Sequence, residues 1–108
     1  MGVSQGNFSS GPEGLTLKAW GVFDAAATLI QGYNMATGTN LAVGMKRVNF
    51  VAAMANTNYQ VVIKSAGGSI ALGFTNVSAK TTANMTITLK DSTGAANDPD
   101  TFHVAVYG

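Results

Sequence analysis

Beyond residue 15 the chain alternates apolar and polar positions in short runs. Tyr59, Val61 and Ile63 interleave with Gln60 and Lys64, and Met85, Ile87 and Leu89 with Thr86, Thr88 and Lys90. Phe102, Val104 and Val106 interleave with His103, Ala105 and Tyr107. A period of two places alternate side chains on opposite faces of a strand, and no stretch holds a helical period of 3.6 over ten residues. The pattern predicts strands over 15–23, 28–35, 43–52, 59–65, 69–77, 85–90 and 102–108. Turn residues separate them: DAAA at 24–27, ATGTNLA at 36–42, Gly67-Gly68 as a tight-turn signal, and DSTGAANDPD at 91–100, where Pro99 stops any strand. Close spacing without crossover helices predicts an all-β fold, an antiparallel β-sandwich of about seven strands, with a small barrel as the related possibility.

The later strands are apolar on one face only. The early ones are not. In LTLKAWGVF, Trp20 and Val22 point one way while Leu17, Ala19 and Phe23 point the other. The second strand mixes Leu29, Tyr33 and Met35 with Ile30; in the third, Val43, Met45 and Val51 oppose Val48 and Phe50. A domain of this size has too few residues to add a covering layer, so the second apolar face predicts a partner, most economically another copy of the chain. The competing reading has Trp20 covering a corner of its own sandwich.

Composition narrows the function. The 108 residues fit one domain, and the sequence divides into a Gly/Ser-rich arm over 1–14 and a single sandwich domain over 15–108. Charged residues make up 10% of the chain with a net charge of +1, too weak and balanced for phosphate-backbone binding, so no nucleic-acid partner is expected. The adjacent pair Lys46-Arg47 reads as a solvated patch. Polarity comes from 12 Thr and 9 Asn, a weakly repulsive surface that suits a protein living in an assembly. No apolar run is long enough to span a membrane, and MGVSQGNFSSGPEG lacks the basic and apolar regions of a secretory signal and matches a myristoylation motif poorly, so the chain is expected to be made in a cytoplasm without membrane insertion.

The residues that could carry chemistry are few. There is no cysteine, and His103 is the single histidine, mid-strand and without a GxSxG turn, which argues against a Ser-His-Asp set or a zinc site. Asp91, Asp98 and Asp100 offer a weak oxygen-ligand set for calcium without EF-hand order; a turn held by Asx hydrogen bonds is the simpler reading. No carboxyl pair marks a cleft, no glycine loop marks a phosphate site, and no cofactor is expected. Sequons at 7–9, 76–78 and 84–86 are chance products of an Asn/Ser/Thr-rich chain.

The motif KAWGVFD followed by Ile30-x-x-Tyr33-Asn34 resembles the opening of the β-sandwich domain at the C-terminal, receptor-binding tip of bacteriophage tail fibres. The resemblance continues through Val48-Asn49-Phe50, Ala53-Met54, Tyr59-Gln60-Val61 and the closing Phe102-His103-Val104-Ala105-Val106-Tyr107-Gly108. It covers 18–61 and 101–108, while 62–100 follow only in strand pattern. It implies a trimeric virion protein without catalytic residues. Trp20, Val22, Met45, His103 and Tyr107 are then the candidates for the trimer interface.

Three functions compete. The first is a non-enzymatic tail-fibre tip that contacts a host surface glycan or protein through loops 36–42, 53–58, 78–84 and 91–100, with Asn56, Asn58, Asn97 and Asp98 as candidate contacts. The second is a capsid decoration, cement or small head-fibre protein that binds other virion subunits. The third, a small glycan-cleaving or esterase domain, finds no paired acid in the sequence.

Overall fold

A computed structural model describes residues 15–67 and 73–108. The arm expected over 1–14 lies outside these residues, as do Gly68, Ile70 and Leu72. The fold is all-β, two antiparallel four-stranded sheets. In chain order the strands are β1 (Leu17–Asp24), β2 (Leu29–Tyr33), β3 (Thr39–Ala42), β4 (Met45–Asn49), β5 (Gln60–Ala66), β6 (Phe74–Lys80), β7 (Asn84–Lys90) and β8 (Thr101–Tyr107). Sheet I has the order β2-β1-β8-β5 and sheet II the order β3-β4-β7-β6.

Alternation builds the core. Ala19 and Phe23 of β1 and Phe102, Val104 and Val106 of β8 point inward from sheet I; Val48 of β4 and Met85, Ile87 and Leu89 of β7 meet them from sheet II. Phe23 and Phe102 are cross-strand partners whose rings stack with centroids 5.0 Å apart. Burying each such side chain stabilises the fold by roughly 2–3 kcal/mol. Gly21 supplies the space: a Cβ there would stand 2.8 Å from both the Met35 sulfur and the Phe23 ring. The β1–β2 hairpin is closed by Asp24, whose Oδ1 accepts from the N–H groups of Ala26 and Thr28.

Several expectations change. The segment 39–42, expected as loop, is the edge strand β3, paired with β4 through a turn in which Gly44 has φ +68°. Its four residues are all exposed, so no alternation betrays it. The strand expected over 69–77 is described from Gly73; β6 begins at Phe74, which is 60% exposed, and continues to Lys80, so loop 78–84 shrinks to 81–83. The tight-turn signal Gly67-Gly68 runs out of the described residues at Gly68; the strands on either side, β5 and β6, belong to opposite sheets.

Lys46 is the largest correction. It is fully buried, on the inward face of β4 opposite Ile87. Its ammonium reaches the end of the core, where it donates to Asn40 Oδ1 and the Ala42 carbonyl and pairs with Asp98 Oδ1 at 3.0 Å. The same oxygen accepts the Gly44 N–H at 2.8 Å. Burial pushes the Asp98 carboxyl up, but the Gly44 N–H and the Lys46 ammonium together hold it below the usual carboxylate range.

A buried charge stripped of its partner is costly, so Asp98→Ala should lose roughly 3–5 kcal/mol of unfolding free energy in urea. Lys46→Met, which removes the need for the partner, should lose far less. Because the folded-state pKa of Asp98 is depressed, its contribution is complete above the ordinary carboxylate pKa of about 3.9 and is lost as pH falls through the folded value. Acid titration of Asp98→Asn should lack that component.

Candidate functional site

The two ends of the sandwich treat their polar groups differently. At one end, Asp91, Thr93, Asn97 and Asp98 of loop 91–100 are all engaged. Asp91 Oδ1 accepts from the Thr93 N–H, the Thr93 hydroxyl and the Ala95 N–H. The Thr93 hydroxyl foremost, with the Ala95 N–H, lowers the Asp91 carboxyl pKa. Asn97 Nδ2 reaches Asp91 Oδ2 at 3.5 Å, and Asn97 Oδ1 accepts the Asp98 N–H. Asp98 holds Lys46 and Gly44. Asp100 is exposed, beside Gly67. Asp91, Asp98 and Asp100 are thus not gathered round one point, and among the described residues no three acidic or His side chains form a metal-holding group. Asn97 and Asp98, candidates for receptor contact, are half-buried and already engaged, Asn97 within the loop and Asp98 with Lys46 and Gly44.

The opposite end carries a groove of about 520 Å³ between the start of β1, the end of β2 and the segment 53–59. Asn34 frames it. This residue sits at φ +54° and ends β2; its Nδ2 donates to the Lys18 and Ala52 carbonyls and its Oδ1 accepts the Ala52 N–H at 2.7 Å. Tyr59 forms the floor, with its hydroxyl donating to the Thr81 carbonyl at 2.9 Å and its ring edge-on to Phe50. Burial raises its pKa, so the phenol stays protonated. Lys80 donates to the Tyr59 carbonyl and lies over its ring.

Upon this frame stand polar groups with no partner among the described residues: the Lys18 ammonium, the Tyr33 hydroxyl, the Asn56 Nδ2 and the Asn58 side-chain amide. Only Asn56 Oδ1 is used, accepting the Asn58 N–H. The Tyr33 side chain is 59% exposed. The sequence singled out Asn56 and Asn58; it missed Lys18 and Tyr33, whose place beside them depends on β1 and β2 ending at this pole.

The outer face of sheet I is a second feature. Cross-strand register aligns Tyr33, Trp20, Ala105 and Val62 in one row over all four strands, and Gln31, Val22, His103 and Lys64 in the next. Trp20 and Val22 are half-buried, Val62 is 53% exposed, and Tyr107 lies on the same face. Met45, expected with them, is on the outer side of sheet II and so lies across the sandwich from Trp20.

No family model and no curated protein matches the chain. Among solved structures the fold is similar to part of the phiAB6 phage tailspike, solved in complex with three-repeated oligosaccharides of Acinetobacter baumannii surface polysaccharide. The TM-score is 0.57 at 19% identity, over 84% of this chain and 20% of the tailspike chain. The chain spans about a fifth of that protein, and what the two share is the fold.

Asn34 holds the groove together, so Asn34→Ala should cost roughly 1–3 kcal/mol in urea unfolding. Asn34→Gly, which also loses the amide but takes the positive φ without strain, should cost less.

Proposed function

We propose that this chain is a non-enzymatic binding domain of a bacteriophage virion, similar to the tip of a tail fibre or tailspike, that holds a host-surface glycan in the groove at the β1-start pole. The observation that carries this reading is the convergence of unpartnered polar groups there. Among the described residues every buried side-chain nitrogen and oxygen has a hydrogen-bond partner; here an ammonium, a phenol and two amides face an open, partly apolar hollow formed with Met54 and Leu15. Amides suit sugar hydroxyls because each donates and accepts, and an exposed aromatic ring suits the apolar face of a pyranose. The described residues lining the groove include no Asp, Glu or His, the types that acid–base glycoside cleavage needs. Likeness of fold to part of a tailspike supports a place in the virion.

The reading includes self-assembly as a homotrimer through the outer face of sheet I. Trp20, Val22, His103 and Tyr107 belong to that contact; Met45 does not share it. Single-site glycan affinity is weak, and three grooves on one particle raise it by avidity, roughly a hundredfold or more.

Two measurements test this. Tyr33→Ala and Asn58→Ala should each weaken binding to host cells about tenfold with the melting temperature little changed; undiminished binding would remove the groove from the reading. Val62→Lys places a charge on an exposed site and should move the sedimentation mass from trimer to monomer, as should Trp20→Ala. A wild-type monomer would sink the assembly.

A further inference from the structure

Charge is segregated along the sandwich. The described side-chain carboxylates, Asp24, Asp91, Asp98 and Asp100, all lie at the pole of loop 91–100, because Asp24 pairs with Thr101 at the start of β8 and the others lie in the connection that leads there. Lys46 and Lys90 lie at that same pole, and Lys46 is neutralised by Asp98. Arg47 and Lys64 are mid-strand, Lys64 opposite His103. Lys18 and Lys80 lie at the groove pole: Lys18 begins β1 beside Gly108, and Lys80 ends β6 against Met85 at the start of β7. The groove pole is therefore cationic among the described residues, although the chain as a whole is nearly neutral.

Building on the groove reading, we propose that the ligand is an acidic saccharide whose carboxylate pairs with the Lys18 ammonium. Lys18 lines the groove and has no anionic partner among the described residues. Lys80 stands one side chain behind, fixed on the Tyr59 carbonyl at 2.9 Å, and adds to the local positive potential. The Asn56 and Asn58 amides supply N–H donors near the same point, and Tyr33 offers a ring face for the sugar. A neutral glycan offers the ammonium only hydroxyl acceptors. An acidic one gains a charge-assisted hydrogen bond and is steered to this pole and away from the acidic one. Glycan and protein carboxylates can both meet an ammonium; the donor-rich groove with one exposed aromatic ring favours the glycan.

The test uses the full chain, 15N-labelled, titrated with size-matched acidic oligosaccharides (uronate- and sialate-containing) and their neutral counterparts. The proposal expects acidic probes to shift the Asn56 and Asn58 side-chain amide signals and to bind at least about tenfold more tightly than neutral ones. The preference should shrink as salt rises from about 50 to 300 mM. Lys18→Gln, an exposed substitution, should abolish the preference while its melting temperature stays within a few degrees of wild type. Equal, salt-independent binding of both panels at the groove would overturn the acidic specificity and leave the groove reading standing. If acidic probes shift only signals elsewhere, or no probe shifts any signal, both this inference and the groove reading fall.

Discussion

A small sandwich contains one apolar layer, and every connection that switches sheets must leave that layer at an end. Here four connections switch: β2 to β3, β4 to β5, β5 to β6 and β7 to β8. The constraint on the rest of the molecule is how the backbone and side-chain polar groups at those ends find partners while the layer stays dry. One end answers with an ion pair. Lys46 runs its apolar stem through the core and ends its buried charge against Asp98, whose loop it thereby anchors over the β3–β4 turn. The other end answers with Asn34 and Tyr59, two neutral groups that knit the end of β2, the start of β5 and the 81–83 turn.

This division separates polar groups that hold the fold from polar groups left open. A loop whose carboxylates and amides satisfy one another presents few unmet groups to a ligand, however polar its sequence. A pole framed from behind by neutral hydrogen bonds can leave other side chains unmet in front. Asn97 and Asp98 fall in the first class and Asn56 and Asn58 in the second, although all four are short polar side chains in loops.

The outer face of sheet I has a different origin. Its row Tyr33–Trp20–Ala105–Val62 arises from register, in which strands from both ends of the sequence place apolar residues side by side. A half-buried tryptophan within a four-strand apolar row extends well beyond the corner of a sandwich. The groove at one end and this face along the side are separate surfaces that meet at Tyr33, which belongs to both.

What the sequence determined by itself was local. Alternation of period two gave β7 and β8 nearly residue for residue, identified the inward residues of β1 and β5, and showed that Trp20 and Val22 look away from Phe23, because pleating alone fixes those faces. It could not reveal β3, whose four residues are all exposed on an edge and carry no pattern. Nor could it bury Lys46, since nothing near that lysine in the chain announces Asp98; only the return of loop 91–100 over the β3–β4 turn brings the carboxylate within reach. The segregation of charge to the two poles is likewise tertiary. Lys18 and Lys80 are far apart in sequence and come to one end because β1 and β6 run in directions set by strand pairing.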